Sequence, residues 1–110
     1  MSIENVINEL KKYITKNDNR SEKRIADTCE VSIDNGYAGV IDNEFIGTNK
    51  HEVYIFIQSK DDIVVPLLYK LYNTKEEAEK YYITLKDLIS TKNLDKIREE
   101  VVNKEKLMND

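Results

Sequence analysis

The sequence has few of the residues on which most metal and cofactor sites depend. Its 110 residues include one cysteine, one histidine, three glycines, one proline and no tryptophan. A zinc site is built from several nitrogen or sulfur ligands, more than Cys29 and His51 can supply. Neither the G-x-x-x-x-G-K nor the G-x-G-x-x-G phosphate loop is present. We therefore expect no metal ion and no cofactor.

Long apolar runs are also missing, and this bears on where in the cell the protein is expected. No run approaches the ~18 apolar residues of a membrane-spanning helix. The first residues lack a basic segment followed by an apolar stretch, so no secretory signal is expected. A lone cysteine cannot form an intramolecular disulfide. These observations predict a cytoplasmic protein that does not contact a membrane.

Charged residues are abundant, and the acidic ones are concentrated in the middle of the chain. The net charge is −4, but residues 26–62 hold two basic and eight acidic side chains. Residues 1–25 hold six basic and four acidic ones. With 40% hydrophobic and 35% charged residues, the composition is typical of a single globular domain over residues 1–110.

Both ends of the chain have the periodicity of amphipathic helices. Apolar residues recur at helical spacing over residues 3–16, and Ser2 is placed to cap this helix. Thr74 and Glu77 form the pattern of a capping box at the start of a second helix. The predicted helices lie within residues 1–17, 74–90 and 93–108.

The middle of the chain predicts antiparallel strands. The Asn-Gly pair in Asp34-Asn35-Gly36 indicates a hairpin, and Asp42-Asn43-Glu44 indicates a second turn. Pro66 cannot donate to a strand ladder, so its strand belongs at an edge or a bulge. Residues 21–27 fit either a helical turn or a strand. The predicted strands are residues 28–33, 37–41, 45–58 and 63–72, within a sheet region 28–72.

These elements follow the order α-β-β-β(-β)-α-α. The order predicts an α+β fold in which an antiparallel meander carries the helices on one face. The last helix has a thin apolar stripe, so it is a candidate for packing against a second copy of the chain. A homo-oligomer formed through the C-terminal helix is therefore one expectation.

Candidate catalytic and metal-binding groups are sparse. Cys29 and His51 have the chemistry of a nucleophile and its base, but a lone cysteine usually packs as a small apolar residue. Asp42, Glu44 and Gly47 match part of a calcium loop, whose remaining ligand positions hold apolar residues. We predict no catalytic residue, no metal ligand and no enzyme activity.

Basic residues cluster over residues 11–24 and could hold a phosphate or an acidic partner. Residues 21–32 also resemble the first helix and turn of a helix-turn-helix. The helix that would follow carries two glycines and the acids Asp34 and Asp42, which phosphates repel. Nucleic acid is therefore not the expected partner. The predicted anion-binding residues are Lys12, Lys16, Arg20, Lys23 and Arg24.

The acidic turns are the predicted surface for a partner. In a meander, alternate turns meet at one end of the sheet, which places Asp34 near Asp61 and Asp62. Acidic tips raise the rate of association with a basic partner, and tyrosine is favoured at interfaces. The predicted partner-binding residues are Asp34, Asp42, Glu44, Glu52, Asp61, Asp62, Tyr69 and Tyr72, with the last two on opposite faces.

In size, acidity and element order, the chain resembles small phage-encoded inhibitors of bacterial defence systems, anti-CRISPR proteins among them. It also resembles immunity proteins that neutralise bacterial toxins. This resemblance implies a non-enzymatic protein that occludes a basic surface of a larger macromolecule, and it assigns no residue a role. Two alternatives are an oligomer that sequesters a nucleotide signal between chains and a DNA-binding transcriptional regulator.

Overall fold

The computed structural model describes residues 2–14 and 21–109, with the backbone alone for residues 108 and 109. Its elements follow the order α-β-β-β-β-α-α, which confirms the predicted α+β fold. The helices are α1 (Ile3–Leu10), α2 (Lys75–Ser90) and α3 (Leu94–Asn109), with a 3₁₀ turn at Lys11–Tyr13. The strands are β1 (Lys23–Ile33), β2 (Gly36–Phe45), β3 (His51–Gln58) and β4 (Ile63–Tyr72).

The strands form one antiparallel meander in the order β1-β2-β3-β4. Because side chains alternate along a strand, the register divides the sheet into two faces. Val40 lies opposite Ile55 on one side, which we call the helix face. Gly39 lies opposite Phe56 on the other side, which we call the open face.

All three helices contribute to a core on the helix face, as predicted. The apolar stripe of α1 is fully buried, and it packs with Val40, Ile55 and Leu67 of the sheet. Helices α2 and α3 add further side chains to the same cluster. The helical residues of this core are Ile3, Val6, Ile7, Leu10, Ala78, Tyr81, Tyr82, Leu85, Ile89, Leu94, Ile97 and Val101.

Two helix starts agree with the capping signals in the sequence. The Ser2 hydroxyl accepts from the Asn5 N–H at 3.3 Å, and Thr74 Oγ1 accepts from the Glu77 N–H at 3.3 Å. The first helix is shorter than predicted, since α1 ends at Leu10 and passes into the 3₁₀ turn. No helix in the described parts of the chain has the length and apolar character needed to cross a membrane.

The predicted turn at Asp42-Asn43-Glu44 is wrong, because these residues lie inside β2. Asp42 pairs with Val53 and Glu44 with His51 across the β2–β3 ladder. The chain instead turns over residues 46–50, between the two strands. Tertiary hydrogen bonds to the side chains of Asp42 and Asn43 offset their poor strand propensity.

The ambiguous segment 21–27 is mostly strand, because β1 begins at Lys23. The residues that resembled a helix-turn-helix therefore pair with β2 as far as Ile33. This excludes a helix-turn-helix in residues 23–33, so the DNA-binding alternative loses the feature on which it depended.

The first hairpin forms where predicted, with different residues in the turn. Asp34 has the positive φ, 52°, whereas Gly36 is the first residue of β2. Glycine is needed at position 36 for space. A Cβ there would lie 2.0 Å from the carbonyl oxygen of Gln58 and 2.7 Å from Cδ1 of Ile3.

Strand β4 fits the expectation for a strand that contains proline. It lies at an edge of the sheet, and its pairing with β3 shifts register on both sides of Ile55. The Val65–Pro66 peptide bond is cis, and Leu68 has a φ of 54°. The Leu68 N–H donates to Glu105 at 3.3 Å, and its carbonyl accepts from the Tyr81 hydroxyl at 2.6 Å.

Candidate functional site

The acidic end predicted from the meander exists, and α1 contacts it. Asp34 lies in the first turn, and Asp61 and Asp62 lie in the third. The Ile3 N–H donates to Asp34 Oδ2 at 3.0 Å, and Lys11 forms an ion pair with Asp62. Asp34 and Asp62 therefore hold α1 in place, and Asp61 remains exposed.

The Lys11 contact also sets the ionisation of Asp62. The hydrogen bond from Lys11, followed by that from the Ile63 N–H, lowers the pKa of the Asp62 carboxyl below its usual value. Asp62 is therefore a carboxylate that already has a partner within its own chain.

Asp42 was expected on an accessible surface, and this is wrong. It is 2% exposed and lies on the helix face, where its Oδ1 is 2.8 Å from Nδ1 of His51. Burial raises the pKa of Asp42, and the hydrogen bond with His51 opposes that change. Asp42 anchors His51 and is not accessible to a partner.

Glu52 was also expected on an accessible surface, and it too is buried, at 2% exposure. It lies on the open face with Oε1 2.9 Å from Lys23 Nζ and 3.1 Å from Asn43 Nδ2. The Tyr69 hydroxyl donates to its Oε2 at 2.6 Å. Burial, and then the Glu52 carboxylate, raise the pKa of Tyr69.

The remaining predicted partner residues are divided between the two faces. Glu44 accepts three hydrogen bonds of 3.1 to 3.4 Å from Arg24. Tyr72 packs against Tyr81 with ring centroids 5.7 Å apart, whereas Tyr69 stacks on Tyr54 at 6.1 Å. Tyr72 therefore lies on the helix face and Tyr69 on the open face, as expected.

The predicted basic cluster does not form one site among the described residues. Lys12 lies over the Tyr13 ring after α1, and neighbouring Lys11 reaches the third turn. Lys23 and Arg24 start β1, at the opposite end of the sheet, and they pair with Glu52 and Glu44. The other two predicted members, Lys16 and Arg20, lie outside the described residues.

The structure does not bring Cys29 and His51 together. Both lie on the helix face, but Cys29 is opposite Val40 and His51 is opposite Glu44, with Asp42 between these positions on β2. Among residues 2–14 and 21–107, no group of three or more histidine, cysteine, aspartate or glutamate side chains is placed to hold a metal ion.

The open face carries an apolar surface that sequence reasoning missed. Around the buried rings of Phe45 and Phe56, four large side chains of β1, β2 and β4 are exposed to solvent. Their exposed fractions are 63% for Ile25, 45% for Tyr37, 45% for Ile63 and 57% for Leu71. We call these residues, together with Ile41, Tyr54 and Tyr69, the aromatic patch.

A signal for this patch was present in the sequence. The run Val53-Tyr54-Ile55-Phe56-Ile57 predicts a strand covered on both faces, yet no described helix packs on the open face. Phe56 covers Gly39 of the neighbouring strand so closely that a Cβ there would lie 2.2 Å from the ring. The aromatic residues thus pack on one another and on glycine.

A separate cleft opens at the end of the sheet that carries the 46–50 turn. Two cavities of about 330 Å³ each share Glu44, His51 and Lys75 in their walls. Arg24 lines one cavity, and the start of α2 lines the other. We call the two together the sheet-end cleft.

No protein-family model, no curated protein and no solved structure matches this chain.

Proposed function

We propose that this is a non-enzymatic binding protein whose aromatic patch docks a partner protein. The observation that supports the proposal is the exposure of Ile25, Tyr37, Ile63 and Leu71 on one sheet face. Eight large hydrophobic side chains are exposed in the described residues, and four of them are these. Large exposed apolar side chains gathered on one face of a protein mark interaction sites.

The composition of the patch favours a protein partner. Aromatic residues are enriched at the cores of protein interfaces, and charged residues are depleted there. The charged side chains that the register places on the open face are Lys23, Glu30 and Glu52. Lys23 and Glu52 neutralise each other at 2.9 Å, which leaves Glu30 on the edge strand β1 as the net charge of the face.

The surroundings of the patch favour a partner with basic side chains. Glu30 is exposed on the face, and Asp61 is exposed in the turn beside Ile63. The net charge of the chain is −4. Complementary charge at the rim of an interface orients a partner and accelerates association, so the best fit is an apolar patch bordered by lysine or arginine.

We further propose that binding inhibits the partner by covering its basic surface. The likeness in size, acidity and element order to anti-CRISPR and toxin-immunity proteins supports this mechanism. Asp34 accepts from the Ile3 N–H, and Asp62 and Glu44 form ion pairs with Lys11 and Arg24 within the chain. The proposed partner contacts therefore lie in the aromatic patch and not in the acidic turns.

The test compares two substitutions of equally exposed side chains. Leu71→Ser removes an apolar side chain from the patch, and Ile83→Ser removes one from the outer side of α2, with exposures of 57% and 55%. Each variant is used to capture proteins from host cells. Any captured protein is then purified, and its affinity for the wild type and both variants is measured directly.

We expect a captured protein whose affinity falls about tenfold or more with Leu71→Ser, as for a side chain that carries much of the binding energy, and is unchanged with Ile83→Ser. Glu30→Lys should weaken binding most at low salt. Capture of the same protein equally well by Leu71→Ser and by the wild type, or no capture by the wild type, would overturn the proposal. A wild-type dimer that Leu71→Ser converts to a monomer would overturn it too, by showing a second copy on the patch.

A further inference from the structure

One ring nitrogen of His51 is hydrogen-bonded within the described part of the protein, and the other is not. It is 3% exposed, and its hydrogen bond among the described residues joins Nδ1 to Asp42 at 2.8 Å. No fully buried side-chain nitrogen or oxygen in the described residues lacks a hydrogen-bond partner. Nε2 is therefore reached from outside, through the sheet-end cleft that His51 lines.

The position of this ring is fixed by its surroundings. His51 starts β3 opposite Glu44, and Asp42 holds Nδ1 from the neighbouring strand. A carboxylate on one ring nitrogen orients the imidazole and leaves the other nitrogen directed at a ligand. His51 is 3% exposed and lines the sheet-end cleft, so a molecule in the cleft is a candidate partner for Nε2.

The start of α2 faces the same cleft. Thr74 caps the Glu77 N–H, whereas the N–H groups of Lys75 and Glu76 have no acceptor among the described residues. These are two of the donors that a helix start leaves without an intrahelical partner. They lie at the positive end of the dipole of a 16-residue helix.

We infer that the sheet-end cleft binds a small molecule that carries a carboxylate. One carboxylate oxygen would accept from the N–H groups of Lys75 and Glu76, and the other from an N–H at Nε2 of His51. The Lys75 ammonium, whose nearest acid is Glu79 at 3.8 Å, is available to complete the site.

The charges in the cleft select a carboxylate over a phosphate. Glu44 and Glu76 line the cavity with His51 and Lys75. Arg24 neutralises Glu44 through hydrogen bonds of 3.1 to 3.4 Å. Glu76 has no ion-pair partner among the described residues, and its negative charge repels a dianion more strongly than a monoanion. The cavity of about 330 Å³ also has room for more than the carboxylate itself.

The test is an NMR titration of the full chain with acetate and, separately, with inorganic phosphate, at constant ionic strength. The Lys75 and Glu76 amide signals and the His51 ring signals report on the cleft. Lys75→Met removes the ammonium group, and Lys86→Met on the same helix is the matched control. His51→Gln tests the imidazole. If His51→Gln does not fold, Lys75→Met still tests the site.

We expect saturable shifts of all three sets of signals with acetate. The dissociation constant for acetate should rise several-fold in Lys75→Met and stay unchanged in Lys86→Met. Leu71→Ser should bind acetate as the wild type does, so this inference and the proposed function can fail independently. Non-saturable shifts, equal binding by Lys75→Met, or tighter binding of phosphate than of acetate would overturn the inference.

Discussion

Burial determines what individual carboxylates do in this protein. Asp42 and Glu52 come from the acidic middle of the chain, yet each is 2% exposed. A buried carboxylate is tolerated when hydrogen bonds replace the water that it loses. Asp42 has His51 as its partner, and Glu52 has Lys23, Asn43 and Tyr69. Both therefore organise their neighbours inside the fold.

Replacing Glu52 with alanine should destabilise the fold. The substitution removes the carboxylate that accepts from the Tyr69 hydroxyl at 2.6 Å and from Asn43 Nδ2 at 3.1 Å. Removing one partner of a buried hydrogen bond costs about 1–3 kcal/mol, so we expect a loss of this size in the free energy of unfolding measured by urea denaturation.

Glu99→Ala is the control for this substitution, because Glu99 is exposed on α3. It should change the free energy of unfolding by less than about 0.5 kcal/mol. Equal effects of Glu52→Ala and Glu99→Ala would show that the contacts of Glu52 do not stabilise the protein.

At the scale of elements, local signals predicted the helix starts well. Ser2 and Thr74 cap helices because the hydrogen bonds involved span only a few residues. Local signals failed at Asp42-Asn43-Glu44, where turn-forming residues lie inside β2. The contacts that hold them there come from β3, and no local pattern contains that information.

In the candidate site, too, some features could be predicted from the sequence and the tertiary contacts could not. Alternation of turns in the meander predicted the shared position of Asp34, Asp61 and Asp62. The contacts of α1 with two of them depend on where that helix packs, so they could not be read from the sequence. The aromatic patch is exposed because no described helix packs on the open face. This too is a matter of tertiary packing, so it could not be read from the sequence.

The cap at Thr74 gives a prediction for α2. Thr74→Ala removes the hydroxyl that accepts from the Glu77 N–H at 3.3 Å. Loss of an N-cap costs about 1 kcal/mol, so thermal and urea unfolding should both show a loss of this size. Thr84→Ala is the matched control, since Thr84 lies within α2 with its hydroxyl bonded to the Lys80 carbonyl. A Thr74→Ala variant as stable as Thr84→Ala would contradict the assignment.

At the scale of the whole molecule, buried tyrosines make stability sensitive to alkaline pH. Burial, and then the Asp27 carboxylate, raise the pKa of Tyr82 to about 12. An unfolded tyrosine has a pKa of about 10. Between these values the unfolded chain releases a proton that the folded chain retains, so rising pH favours unfolding. Burial raises the pKa of Tyr81 in the same direction.

The free energy of unfolding should therefore fall as the pH rises from 10 towards 12. Tyr82→Phe removes one of the contributing groups, so its stability should fall less steeply than that of the wild type over this range. Tyr37→Phe changes an exposed tyrosine and serves as the control. Parallel curves for the wild type and Tyr82→Phe in urea titrations at several pH values would contradict this account.

The two faces of the sheet give the molecule its overall organisation. The helix face holds the core formed with three helices, and the open face exposes the aromatic patch. A modest net charge of −4 describes neither face, because Asp42, Glu44, Glu52 and Asp62 of the acidic middle are paired within the fold. Under the proposed function, the open face is the surface that a partner covers.

Site-specific photo-cross-linking in host cells tests directly whether a partner covers the open face. A photoreactive amino acid replaces Tyr37 on the open face in one variant and Ile83 on α2 in another, at exposures of 45% and 55%. We predict that the Tyr37 variant alone forms a cross-link to a second protein, and that adding Leu71→Ser abolishes it. Identical cross-links from both positions, or a Tyr37 cross-link that persists with Leu71→Ser, would contradict the claim.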